Sequence, residues 1–260
     1  LREYLDCCHD LQVIAHGTYA DYPWYGKSYP AKFIRMELAM CQRAGISGLV
    51  IHLGLPGVAE VAEYIPRLVT PPRNVIIFLE VPHVKPENSH YETPEKLAAL
   101  FQEIRRYDPT LCQFGLCIDT AHLWSCGVDL QSFEAAENWL RRLETVAAEI
   151  PPDRIIIHLN DSLDERGSGV DHHAPLLGGK IWGMFKDRPQ QSGLAAFVDY
   201  IVRNNTTAIL ERKPPEALLD DYVVLDRLTD AVRYDQPSSS LLCGGVPWGF
   251  PWGVPSAQPT

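Results

Sequence analysis

Apolar residues follow two patterns along the chain. The first is a series of short continuous runs rich in β-branched residues: LQVIAH (11–16), GLVIH (48–52), NVIIFLE (74–80), FGLCID (114–119), RIIIHLND (154–161) and TTAILE (206–211). Runs of this length without polar alternation predict strands covered on both faces. The second pattern spaces apolar residues by three and four, as in FIRMELAMCQRAG (33–45), TPEKLAALFQEIRR (93–106), SFEAAENWLRRLETVAAEI (132–150) and LAAFVDYIVRN (194–204). It predicts helices between the strands. Ser132 and Thr93, the latter followed by Pro94, suit helix N-caps, and Gly45 suits the residue just past a helix end. Alternating strand and helix predicts an α/β fold with a parallel sheet, either open and doubly wound or closed as a (β/α)8 barrel. From Pro237 the pattern stops: PSSSLLCGGVPWGFPWGVPSAQPT has no charged residue and repeats PWG. This predicts a low-complexity tail over 237–260 beside a barrel domain over 1–236.

Composition narrows the function. The 260 residues are 46% hydrophobic and 22% charged, with no apolar run near the ~18 residues a membrane span needs, so no membrane partner is expected. A formal net charge of -10 excludes holding nucleic acid by a broad basic surface, and an acidic partner must meet a local positive site. Seven cysteines, an odd number with no C-x-x-C pair, argue against a disulfide framework and for a reducing, intracellular compartment. The first residues lack the basic start and apolar core of a secretory signal and begin with Leu, so the natural start is expected upstream.

Each of the six apolar runs carries toward its end a residue able to bind a cation: His16, His52, Glu80, Asp119, His158 and Glu211. A barrel gathers such positions on its C-terminal face. Grouping buried carboxylates and imidazoles without a cation is strongly unfavourable, so the cluster implies bound metal. Asp119-Thr-Ala-His122 adds an imidazole just past a strand, and Asp171-His172-His173 adds a further set. Imidazole and carboxylate donors, with no thiolate in reach, suit Zn or Mn. Cys117 and Cys41 read as small core residues, and Met36, Met40 and Met184 as packing residues. His9, His83, His90 and His172 read as surface groups or supports, with His83 nearest the cluster. No phosphate-binding G-x-x-x-x-G-K-[ST] loop, G-x-G-x-x-G after a strand or G-x-S-x-G elbow is present.

Taken together, VIAHGTYADYPW, GLVIHLG, FLEVPH, GLCIDTAHLWSCGVDL, IIIHLNDS, GVDHHAPLLGG and AILER resemble the endonuclease IV family (AP endonuclease family 2), in the version carried by large DNA viruses of the African swine fever virus type. The motifs stand in family order over residues 10 to 213. The resemblance implies a TIM-type (β/α)8 barrel with three zinc ions per chain, Mn2+ replacing part of them. It implies a DNA-repair hydrolase that cleaves the phosphodiester 5′ to abasic sites in duplex DNA, with 3′-end cleaning as a further family activity. His16 and His52 would hold the first zinc with Glu80, which bridges to the second. Asp119, His158 and Glu211 would complete the second, and His122, Asp171 and His173 would hold the third. Glu80, Asp119 and Glu211 are the implied catalytic carboxylates, and Tyr19 falls where the family inserts an aromatic wedge into DNA. Three dications would set six positive charges at the phosphate. A monomer is expected, and for a viral protein the host cytoplasm, nucleus or the virion.

The chain departs from the family at three places. Asp-Arg-His reads Asp171-His172-His173, an acidic residue is absent between Gly178 and Gly179, and the segment before His16 has no room for the family's first two strands. Six strands of the eight are therefore expected. One rival is a xylose-isomerase-like sugar isomerase or epimerase using Glu80, Asp119, His158 and Glu211 for a single ion, which leaves His16, His52, Asp171 and His173 unused. The other is an inactive, truncated relative that still binds metal or DNA.

Overall fold

In the computed structural model, which describes residues 12–18, 24, 28–68, 75–107, 109, 113–150, 152–213 and 215–235, all six apolar runs become strands of one parallel sheet. They are β1 (Ile14–His16), β2 (Gly48–His52), β3 (Ile76–Glu80), β4 (Phe114–Asp119), β5 (Ile155–His158) and, after a short antiparallel pair β6 (Asp161–Ser162) and β7 (His173–Ala174), β8 (Thr207–Ile209). The sheet order is β1-β2-β3-β4-β5-β8. Several strands are shorter than their apolar runs, and Glu211 lies two residues beyond the end of β8.

Among the described residues seven helices accompany the strands: α1 (Ser28–Ala44), α2 (Val58–Leu68), α3 (Pro94–Arg105), α4 (Thr120–Ser125), α5 (Phe133–Thr145), α6 (Gly193–Asn204) and α7 (Leu218–Asp235). Thr93 and Ser132 cap α3 and α5 through side chains that accept from Lys96 N and Ala135 N. Gly45 adopts φ +76 just past α1, the left-handed residue that ends many helices. Helices α2, α4 and α7 add to the predicted set, and α5 stops at Thr145 instead of running to 150.

The four inner strands β2 to β5 are buried on both faces, as their unbroken apolarity predicts, whereas β1 and β8 at the ends of the sheet are only partly buried. On the outer face Leu49, Ile51, Ile77, Leu79, Leu116 and Ile118 pack in one core with helix residues such as Leu97, Phe101, Leu140 and Phe197. On the inner face Val50, Phe78, Cys117 and Ile156 form a second cluster, with Ile14, Ile76 and Ile209 against it. Phe78 fills the centre because two neighbours have no side chain: a Cβ on Gly48 would come within 2.6 Å of its ring, and one on Gly115 within 2.7 Å. A side chain at either glycine would therefore displace the ring. Among the described residues β1 and β8 each pair on one side only. Even so, Thr207 Oγ1 donates to Gln12 Oε1 at 3.2 Å, so the two ends of the sheet curl to within side-chain reach.

Two expectations need correction. Met36, Met40 and Met184 are exposed rather than packed. In α1 the buried positions include Ala31, Ile34, Leu38 and Cys41, which turns Met36 and Met40, four residues apart, outward. Cys117 is a buried core residue as expected, but its thiol is not out of reach of the polar cluster: it lies within 4.8 Å of ligand atoms of Glu80 and His158. It stands on the same strand face as Asp119, two residues before it. Cys41, Cys117 and Cys126 are free and buried, whereas the other four cysteines, His9, Tyr19 and the tail from Pro237 lie outside the described residues. No helix among the described residues is long and apolar enough to cross a membrane.

Candidate metal centre

The site follows from strand parity. Side chains two apart on a strand share a face, so a polar residue two positions beyond each inner apolar residue also points inward. Ile14 thus underlies His16, Val50 underlies His52, Phe78 underlies Glu80, Cys117 underlies Asp119, Ile156 underlies His158, and Ile209 underlies Glu211. Register reinforces this, with His52 opposite Glu80 and Asp119 opposite His158.

Glu80, fully buried, stands at the centre. Its Oε2 lies 3.3 Å from His16 Nε2 and 2.8 Å from His52 Nε2, and its Oε1 lies 3.0 Å from His158 Nδ1. One carboxylate thus faces two sets of imidazoles with its two oxygens. His158 Nδ1 is also 3.0 Å from Glu211 Oε2 and 3.9 Å from Asp119 Oδ2. Beyond Asp119, His122 Nε2 is 3.2 Å from Asp171 Oδ2, and His173 Nε2 is 2.9 Å from Asp171 Oδ1. All nine residues proposed as ligands therefore meet in one continuous cluster. Drawn from these nine, three groups have ligand atoms within 4.8 Å of one another, namely His16, His52 and Glu80; Glu80, Asp119, His158 and Glu211; and Asp119, His122 and His173, and Cys117 joins Glu80 and His158 in a fourth.

The backbone fixes which ring nitrogen faces inward. His16, His122 and His173 set Nδ1 at 2.9, 2.7 and 2.8 Å from the carbonyls of Gly17, Val81 and Glu211. A carbonyl only accepts, so Nδ1 carries the hydrogen and Nε2 is left to act as a ligand. Asp119 is held equally firmly, its Oδ1 accepting from Ala121 N and His122 N as the N-cap of α4. The chain that supplies the aspartate therefore turns at once into the helix that supplies His122.

Several donor atoms at the centre lack a satisfactory protein partner. Among the described residues Glu80 Oε1 and Oε2, His158 Nδ1, Asp171 Oδ1 and His173 Nε2 are buried without an aligned hydrogen bond, although they lie close together. Buried polar groups are ordinarily satisfied, and cations between these atoms would satisfy all of them. The nitrogen and oxygen donor set fits zinc or manganese.

Charge is distributed to match. Burial disfavours a charge on His122, but the surrounding Asp119, Asp171 and Glu80 carboxylates hold its pKa up at about 10. Burial likewise opposes a charge on His173, and Asp171 and Asp119 hold it at about 9. Glu80 resists burial through its contacts with His158, His16 and His52, and stays well below the usual carboxylate range. In the absence of a cation, protons take the place of positive charge.

Residues that the ligand pattern did not single out support the cluster. Asn160 Nδ2 donates to Asp119 Oδ2 at 2.7 Å and to Glu211 Oε2 at 3.2 Å, and its Oδ1 accepts from Glu211 N at 3.1 Å. Asp161, fully buried, accepts from the backbone N–H groups of Ser162, Gly179, Ile181 and Trp182, and burial pushes it up to about 6. A Cβ on residue 179 would strike the Asp161 carboxylate and Ser162 O, so the second glycine of the Gly178-Gly179 pair is required by this clamp. The HLND motif contained both residues, but only the fold reveals their partners. His83 is half-buried with its ring 5.1 Å from that of His122 and 6.2 Å from that of His52. His90 is exposed, as is His172, whose Nδ1 lies 3.3 Å from Asp164 Oδ1. Tyr19, the expected DNA wedge, lies outside the described residues.

Comparison with known proteins gives a consistent picture. A family described as the xylose isomerase-like TIM barrel matches residues 2–202. A probable AP endonuclease of African swine fever virus (isolate Tick/South Africa/Pretoriuskop Pr4/1996) is 46% identical over 205 residues, covering 78% of this chain and 68% of the relative. An apurinic-apyrimidinic endonuclease of Caenorhabditis elegans is 28% identical over 184 residues, 65% of this chain and 44% of the relative. The solved structure described as AsfvAP:AG superposes with a TM-score of 0.81 at 42% identity, covering 87% of this chain and 77% of that one. Endonuclease IV of Thermus thermophilus shares the fold, with a TM-score of 0.63 at 23% identity over 90% of this chain and 80% of that one. With these motifs on this barrel, the chain belongs to AP endonuclease family 2, the endonuclease IV family.

Proposed function

We propose that this protein is a zinc-dependent apurinic/apyrimidinic endonuclease that hydrolyses the phosphodiester 5′ to an abasic site in duplex DNA and also clears blocked 3′ ends. His16, His52 and Glu80 would hold one zinc, Glu80, Asp119, His158 and Glu211 a second, and His122, Asp171 and His173 a third. The observation that carries this reading is Glu80, whose two oxygens face separate imidazole sets at 2.8 to 3.3 Å, as a carboxylate shared by two cations must. Bound zinc would supply Lewis acidity toward phosphate oxygens and a water acidic enough to be deprotonated near neutral pH.

The chain's own residues prepare the site. Glu80 fixes the spacing of the first two groups, and Asp119, anchored as a helix cap, spans the second and third. The carbonyl contacts of His16, His122 and His173 remove rotational freedom from the ligands, which favours preorganisation over induced order. Glu80, Asp119, Asp171 and Glu211 would offset four of the six charges on three dications, leaving the site net positive in an acidic protein. That local charge suits a phosphodiester and explains how a chain of net charge -10 can engage DNA. Tyr19, three residues past His16, we assign to DNA contact at the lesion.

The test combines metal analysis with a defined substrate. Atomic spectroscopy should find three zinc ions per chain, and a 5′-labelled duplex with one abasic site should yield a single cut on its 5′ side, lost on chelation and regained with zinc. One metal per chain together with turnover of an aldose or ketose would overturn the proposal in favour of a sugar isomerase.

A further inference from the structure

We infer that Asn160 is the positioning residue of the second ligand group: its amide joins Asp119 to Glu211 and sets the orientation in which both carboxylates face a cation. This inference rests on the zinc reading above. Its starting point is a gap in the sheet. The pairing of β5 with β8 ends at His158 opposite Ile209, with a last backbone bond from Leu159 N to Ile209 O. Glu211 lies beyond that ladder, so strand register does not place it. Asn160 continues the ladder with its side chain, Oδ1 accepting from Glu211 N at 3.1 Å.

The other end of the same amide acts on the carboxylates. Nδ2 donates to Asp119 Oδ2 at 2.7 Å and to Glu211 Oε2 at 3.2 Å, which uses both of its hydrogens. Asp119 Oδ1 already accepts two backbone N–H groups. Of the ~4 lone-pair positions on a carboxylate, Asn160 fills a third and leaves the last on Oδ2, the oxygen that faces His158 and His173 at 3.9 Å. Only an amide combines an acceptor for the Glu211 backbone with a two-hydrogen donor for the carboxylates at this size. Asn160 is itself locked, since Thr120 Oγ1 donates to Asn160 O at 2.7 Å and accepts from Asn160 N at 2.8 Å. The Asp-Thr-Ala-His and His-Leu-Asn-Asp motifs are thereby hydrogen-bonded to each other through residues that are not ligands.

The test measures metal, not turnover alone. Wild type, Asn160→Ala and Asn160→Asp, the last of equal size but lacking the donor, are loaded with zinc and titrated against a chromophoric chelator. Melting curves of the stripped proteins report the fold separately. Both variants should release the zinc of the second group roughly 10- to 100-fold more readily than wild type, the range for losing a group that orients a ligand, with a smaller effect on the third group, which shares Asp119, and the least on the zinc held by His16 and His52. If Asn160→Ala does not fold, Asn160→Asp is decisive by itself. A folded variant that holds every zinc with wild-type affinity would overturn the inference while leaving the zinc centre intact. Wild type that binds no zinc would overturn the centre and this inference with it.

Discussion

Two layers lie on the inner face of the same six strands, separated by two residues, or roughly 6–7 Å at ~3.3 Å per residue. The lower one is apolar packing, with Val50, Phe78, Cys117 and Ile156 buried and Ile14 and Ile209 partly buried against them. The upper one, His16, His52, Glu80, Asp119, His158 and Glu211, leaves buried donor atoms on Glu80 and His158 without aligned partners. Parity and backbone are shared, and only the side chains differ. The lower layer packs as apolar core, whereas the upper presents donor groups that cations would satisfy. The first therefore provides the stiffness against which the second can hold like charges together.

The sharpest break in this contrast is Glu80→Gln. A neutral amide bridges two cations poorly, so cleavage of an abasic duplex should fall roughly 10^2- to 10^3-fold, the range for removing one electrostatic group from an active site. Zinc content should fall with it, while the stripped variant melts near stripped wild type. Near-normal cleavage would remove Glu80 from the bridging position. In the lower layer, Phe78→Ala opens a cavity between Gly48 and Gly115 and should cost about 3–5 kcal/mol of folding stability by denaturant titration. A loss below about 1 kcal/mol would mean that the interior is not the close-packed support described above.

Acidity separates the layers in another way. In the stripped protein His122 and His173 hold protons up to about 10 and 9, above their ~6.5 in an unfolded chain. Their raised values stabilise the fold fully below pH ~6.5, and that stabilisation disappears as pH rises through 9 and 10. The melting temperature of chelated protein should therefore fall from pH 7 to 10 more than that of zinc-loaded protein, where cations replace those protons. Parallel curves would show that protons and metal do not compete for these rings.

Asp161→Asn tests the support at the edge of the upper layer. The substitution presents an N–H toward Gly179 N, which Asp161 Oδ2 now accepts at 3.1 Å, and should cost about 1–3 kcal/mol with faster hydrogen exchange across 175–182. Exchange unchanged in that segment would refute the clamp. The smallest effect is expected far from both layers. Arg142 holds Glu95 at about 2 by hydrogen bonding, yet both side chains are exposed, so Glu95→Gln should cost roughly 0–1 kcal/mol and leave cleavage unchanged.

Much of this is legible in the sequence because run-end position and strand parity are sequence properties. Once GLVIH and FGLCID are strands, His52 and Asp119 must end them, and the inner direction follows. What stays hidden depends on partners distant in sequence. The Phe78 interlock needs Gly48 and Gly115 from two neighbouring strands, and the role of Asn160 needs Asp119 and Glu211 from two others. Helix α2 keeps the three-and-four spacing at Val58, Val61, Ala62 and Ile65, but it is short and Pro66 within it argues against a helix there. α7 escapes the pattern because its apolar residues are scattered, with Leu219, Tyr222 and Val223 exposed. Cys117 falls in a strand as its run predicts, but its distance from Glu80 depends on how tightly the sheet curls, which no local pattern encodes.

The order β1-β2-β3-β4-β5-β8 also has a meaning in time. As the chain leaves the ribosome, five strands can assemble in sequence, each beside the one made before it. The second group of donors, however, waits for Glu211, about fifty residues after His158. Until then a nascent barrel carries His158, Asp119 and Glu80 as an open set of charges, a site with one wall missing. Contacts between residues this far apart form late and slowly. Cation capture at this second group is therefore expected to accompany the docking of β8, as its closing step rather than a seed, while the donors of the other two groups are already in the chain.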